Sequence, residues 1–187
     1  MEKVNSTWVW LLTAGVVAYF YFSGNASANP ANGAGANNIS SSGLSTIEGN
    51  ESFSSTAYQD GSANGVQLYS IGYGHQIQPN EMYLMYQTIS QAQAQTMLMA
   101  DLQPIINAIN NSGQILTQGQ FDALSDFGMS GTGALQNALS SLLTNGIQSV
   151  PNVFQQYVYW HPIPGGAAQI NNTLVTRRAN ETTTWNS

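Results

Sequence analysis

The sequence predicts an α+β fold, a small strand-rich part followed by a larger helical part, and three observations carry that prediction. Residues 51–75 read ESFSSTAYQDGSANGVQLYSIGYGH, a run punctuated by Gly61, Gly65, Gly72 and Gly74 that suits a small antiparallel sheet from about Tyr58 to Tyr73. Beyond Pro79 the apolar spacing changes to the helical period and keeps it through several capped segments. Strands gathered in one stretch and helices in the next point to segregated rather than alternating elements. Residues 24–43, almost wholly Gly, Ala, Ser and Asn, read as a flexible linker that sets this unit apart from the N-terminus. The expected organisation is an N-terminal apolar segment over 1–23, the linker over 24–43 and one domain over 44–187.

Composition narrows the function classes. About 140–150 residues remain for the domain, enough for a single core. The chain has no Cys, and its two His residues, His75 and His161, are far apart, so no metal or other cofactor is expected. Three basic residues against nine acidic ones give a formal charge of -6, which excludes a phosphate-neutralising surface and nucleic-acid partners. Nothing points to more than a monomer.

Taken in order, residues 7–22, TWVWLLTAGVVAYFYF, form an uncharged run of 16 with Lys3 before it and aromatic residues near both ends. Such a run suits either a transmembrane signal-anchor helix facing the domain outward or a removed signal peptide with Ala26-Ser27-Ala28 as its cleavage site. The localisation expected from the first is a membrane tether on the wall-facing side. The linker would then be a stalk with a root-mean-square reach of roughly 25 Å.

The domain opens with a short helix whose Leu44, Ile47 and Glu51 share a face. After the sheet, Ser90-x-x-Gln93 and Thr117-x-x-Gln120 are capping boxes. The first opens a helix carrying Met97, Leu98, Leu102, Ile105, Ile106 and Ile109, in which Pro104 should produce a kink or break. The second opens one with Phe121, Leu124 and Phe127 along a face. Leu135, Leu139, Leu142 and Leu143 mark a further helix, and the stripe is core rather than a cofactor site. Arg178 and Glu181 at i, i+3 suit a structural pair worth only a few tenths of a kcal/mol.

Within 51–75 two carboxylates stand in unlike settings. Glu51 ends a helix near its buried face, a setting that favours a protonated carboxyl. Asp60 lies in a turn-rich stretch, which favours an ionised one. One proton donor and one ionised carboxylate are what glycoside hydrolysis requires.

Glu51, then Ala57-Tyr58-Gln59-Asp60, then Ser70-Ile71-Gly72-Tyr73-Gly74-His75, together with QFDALSDF and L-x-x-R-R-x-x-E-x-x-x-W over 174–185, resemble the phage-type lysozymes, the endolysin muramidases of glycoside hydrolase family 24. The resemblance implies a lysozyme-like fold, a small β-rich lobe and a mainly helical lobe with an active-site cleft between them. It also implies peptidoglycan as substrate, cut between N-acetylmuramic acid and N-acetylglucosamine, in a phage enzyme of host lysis or entry. By the same resemblance Glu51 is the general acid, Asp60 holds the attacking water, and Ser70 stands where the family has Thr. Tyr73, Met129 and Ser130 fall at sugar-contacting positions, and His75 is structural. The chain departs from the family pattern at Ser52, where the family has Gly, and at Met129-Ser130, where it has Phe-Asn. Glu48, followed by Gly49, is the competing acid. A lytic transglycosylase and an inactive wall-binding virion protein are the alternative functions.

Overall fold

The structure, a computed structural model, describes residues 7–13, 16–22, 35–63, 65–160 and 167–187. The apolar N-terminal run differs from the expected helix. Strands β1 (Thr7–Thr13) and β2 (Val16–Phe22) pair antiparallel, Thr7 opposite Phe22 and Thr13 opposite Val16. The reason lies in composition, since Val, Thr, Trp, Tyr and Phe fit an extended, paired backbone, and 16 residues fall short of the roughly 20 a helical span needs. No helix among the described residues is long and apolar enough to cross a membrane. The candidate cleavage site lies outside the described residues.

The folded unit reaches further back than Leu44. Ala36 N–H donates to Leu116 O at 2.9 Å, Asn110 Nδ2 donates to Asn37 O, and Ala36 and Ile39 pack on the core, so the end of the expected linker is docked. Helix α1 (Ser41–Glu51) starts at Ser40, whose side chain caps Gly43 N–H. Ser40 also gives its N–H and its hydroxyl to Asp122, which fixes where α1 begins. Gly43 permits the approach, because a Cβ there would stand 2.6 Å from Asp122 Cγ.

Strands β3 (Ser54–Ala63), β4 (Val66–Gly72) and β5 (His75–Gln76) form one antiparallel sheet in that order. A 3-10 turn, Pro79–Tyr86, leads to the helices. Helix α2 (Gln91–Asn111) has the Ser90/Gln93 capping box and buries Leu98, Leu102, Ile105, Ile106 and Ile109. It runs on through Pro104, so the expected break does not occur. Burial of the apolar face on both sides of the proline outweighs the lost backbone hydrogen bond.

Helix α3 (Gln118–Gly128), capped by Thr117 and Gln120, is the centre of the helical part, and every residue from Phe121 to Gly128 is buried. It packs against α1, α2, α4 (Thr132–Asn145) and α6 (Asn172–Trp185). Phe127 packs against Phe154 of α5 (Val150–Phe154) with the rings tilted and their centroids 4.5 Å apart, and Phe154 meets Trp185 edge-on. Short strands β6 (Tyr159–Trp160) and β7 (Gln169–Ile170) form a small exposed ribbon before α6. A small sheet beside a helical body is the α+β arrangement predicted.

Candidate active site

Asp60 is placed by an irregularity in the strand pairing. Tyr58 lies opposite Ser70 and Gln59 opposite Tyr69, but Ser62 lies opposite Gln67, so one extra residue is accommodated around Asp60-Gly61. Gly61 has φ 100°, a conformation that a residue without Cβ adopts freely. A bulge of this kind re-aims a side chain, and bulges recur next to active sites. Here the Ser70 hydroxyl on β4 donates to Asp60 Oδ2 at 2.7 Å. Ser70 is fully buried. Asp60 thus sits on a bulged strand rather than in the turn expected; the turn comes later, past Ala63.

Glu51 is the last residue of α1, and its neighbourhood is ionic rather than apolar. Arg177 of α6 places Nη2 2.7 Å from Glu51 Oε1 and 2.7 Å from Asp126 Oδ1 of α3. Asn50 adds hydrogen bonds from Nδ2 to both Asp126 oxygens, at 3.2 and 3.1 Å. Burial alone would lower the pKa of Arg177, but Asp126 and then Glu51 outweigh it and the net direction is upward, so the guanidinium stays charged. Three helices therefore meet through one guanidinium at Glu51. The other side of the carboxylate faces the sheet: a side chain at Gly74 would meet Glu51 Oε2 at 3.9 Å. Glu48, three residues earlier, turns elsewhere and accepts from Gln95 Nε2 at 2.6 Å.

Tyr58 is close enough to both carboxylates to feel their charge. It is opposite Ser70 in the ladder, and burial, then Asp60, then Glu51 raise its phenol above the ordinary value. The site thus gathers two carboxylates, a buried hydroxyl and a neutral phenol where sheet meets helices. Over residues 48–181 the chain matches the family model for phage lysozyme. The chain belongs to the phage lysozyme family.

An endolysin of Bacillus phage PZA is 30% identical over 155 residues, covering 80% of this chain and 55% of the relative. The chain spans about half the length of that curated relative. Among solved structures, the muramidase domain of SpmX from Asticaccaulis excentricus superposes with a TM-score of 0.68 at 26% identity, over 80% of this chain and 98% of that one. The endolysin from Escherichia coli O157:H7 phage FAHEc1 gives 0.65 at 25% identity, over 79% and 92%. A P22 lysozyme mutant, at 24% identity and 0.64, over 80% and 98%, supports the fold alone. All three place the chain in the lysozyme-like fold.

The other residues singled out from the sequence take different places in the chain. Tyr73 is 8% exposed and packs on Phe53 with ring centroids 5.6 Å apart, so it is a core residue and not a sugar platform. Met129 packs against the core at the end of α3. Ser130 Oγ accepts from Arg178 Nη2 at 2.9 Å and is committed to that contact. The Arg178–Glu181 pair is structural as expected, but its burial makes it more than a contact of a few tenths of a kcal/mol. Arg178 is fully buried, Glu181 is 2% exposed, and the guanidinium also lies 4.9 Å from the centroid of the Phe127 ring. Nη2 is 3.0 Å from Glu181 Oε1, and burial pushes Glu181 up and Arg178 down while each charge opposes the change in the other. His75 is the structural histidine expected: Nδ1 lies 2.9 Å from Asp101 Oδ2 and Nε2 3.2 Å from Glu81 Oε2, tying β5 to α2 and the 3-10 turn.

Asn50, Tyr58, Asp126 and Arg177 are the site neighbours that sequence reasoning passed over. Three lay inside quoted motifs, Tyr58 in AYQD, Asp126 in QFDALSDF and Arg177 in the final pattern. Their joint purpose was invisible because Asn50, Asp126 and Arg177 come from three separate helices.

Proposed function

We propose that the protein is a peptidoglycan hydrolase, a muramidase that cuts the β-1,4 bond between N-acetylmuramic acid and N-acetylglucosamine. The observation that carries the reading is the Ser70–Asp60 hydrogen bond on the sheet beside a Glu51 held by Arg177. Glu51 acts as the acid. Its Oε1 is fixed by Arg177, and Oε2, on the side of Gly74, hands the proton to the leaving oxygen. Asp60 acts as the base. Its Oδ2 is occupied by Ser70, so Oδ1 accepts from a water that attacks the sugar from the opposite face. Ser70 has given its only proton to Asp60, so its remaining lone pairs accept, and it orients that water rather than attacking. The family's GH24-type chemistry, in a phage enzyme of lysis or entry acting at the cell wall, follows from this reading. The apolar segment before residue 24 is the part proposed to associate with a membrane.

A zymogram on purified cell walls tests the function, with clearing by the wild type expected and none by Glu51→Gln. Mass spectrometry of the products separates the alternative. Reducing ends support hydrolysis, whereas 1,6-anhydro ends identify a lytic transglycosylase. Binding to walls without clearing identifies an inactive wall-binding protein.

A further inference from the structure

We propose that Tyr58 is a positioning residue of this site, its phenol hydroxyl donating to Ser70 Oγ and completing a relay from Tyr58 through Ser70 to Asp60. The inference rests on the hydrolase reading above and adds a residue to it. Tyr58 and Ser70 are direct partners in the β3–β4 ladder, so their side chains stand on the same face of the sheet. The Ser70 hydroxyl has one proton and gives it to Asp60 Oδ2 at 2.7 Å. A hydroxyl beside Ser70 can therefore only donate to it. The phenol is suited to that, since burial, then Asp60, then Glu51 raise its pKa and outweigh a smaller lowering by the hydrogen-bonding contact with Ser70, so the phenol keeps its proton at working pH.

Ser70 is fully buried, so apart from the one catalytic water assigned to it, bulk water does not replace a missing donor at Oγ. The Tyr58 ring is 37% exposed and forms the outer end of the relay. Without the phenol proton the Ser70 rotor loses the contact that holds it toward Asp60. The carboxylate is then free to turn, and the water it holds is less well aimed. Tyr58 acts through Ser70 and Asp60, not on the sugar.

The test is a double-mutant cycle read by kcat and KM on purified peptidoglycan. Tyr58→Phe keeps the ring and removes the hydroxyl, and should lower kcat about tenfold at unchanged KM and unchanged Tm. Added to Ser70→Ala, it should cost nothing further, because the relay is already cut. Full kcat in Tyr58→Phe, or losses that multiply in the double variant, would overturn the proposal. A second readout does not depend on activity: the phenol titration of Tyr58, followed by 13Cζ NMR, should move down in Asp60→Asn, and an unmoved titration overturns the adjacency. A wild type that leaves peptidoglycan intact would refute the hydrolase reading instead, while the titration still decides the relay.

Discussion

Asp101→Asn removes the strongest influence on His75 and leaves a side chain of the same shape. In the folded chain the hydrogen bond to Asp101 raises His75 from 6.5 to about 9, with burial opposing and Glu81 adding. A histidine raised on folding stabilises fully below its unfolded value and loses that contribution as pH rises through the folded one. Stability should therefore fall between about pH 6.5 and pH 9. At about 1.4 kcal/mol per pH unit, the interval is worth at most about 3.5 kcal/mol. The His75 side chain is 13% exposed but that of Asp101 is 36% exposed, so water screens the pair and about 1–2 kcal/mol is the expected share. Glu181, raised by burial, gives a slope of the same sign, but it does so in both proteins. Urea unfolding of wild type and variant at pH 6 and pH 9 isolates the histidine. The wild type should lose about 1–2 kcal/mol more than Asp101→Asn across that range. Parallel losses in the two proteins would show that His75 is not held charged by Asp101.

Three further outcomes are expected. Glu51→Gln should reduce wall clearing by about 10²–10⁴-fold while Glu48→Gln largely spares it, and the reverse pattern in a turbidity assay would move the acid to Glu48. Arg178→Met should cost up to about 3–5 kcal/mol in thermal unfolding because it removes the nearer cation of the buried Glu181 and leaves only Arg177 Nε, 3.6 Å from Oε1, and Arg178→Met/Glu181→Leu should recover much of that; a loss below about 1 kcal/mol in the single variant would contradict a buried ion pair. Ser52→Gly should stabilise the chain by about 1 kcal/mol, a rise of roughly 2–4 °C in Tm, since Ser52 at φ 61° and ψ 154° occupies a region natural to Gly; an unchanged or lower Tm would mean that the cap carries no strain.

What the sequence determined was local. Capping boxes at Ser90/Gln93 and Thr117/Gln120 were legible and formed as read, because a cap needs only four consecutive residues. The buried stripe of α2, the central α3 and the structural His75 were legible for a similar reason, since a period of 3.6 and a short motif both show within one segment. Where a local rule met a larger context it gave way. Pro104 did not break α2, because apolar burial on both sides held the helix together, and the docked residues from Ala36 onward drew the linker's end into the fold.

Only the tertiary structure decided what surrounds each carboxylate. Glu51 looked apolar from its own helix and became ionic because α6 delivers Arg177 from 126 positions away in sequence. Asp60 looked like a turn residue and became a strand residue, because the extra position near Gly61 is visible only in the pairing with β4. Tyr73 and Ser130 sat at motif positions, yet packing buried one against Phe53 and Arg178 claimed the other. A sequence records which groups are available and how neighbours along one element are spaced. Which distant groups share a site, and so which charges are paired, depends on the three-dimensional approach of α1, α3, α6 and the bulged sheet.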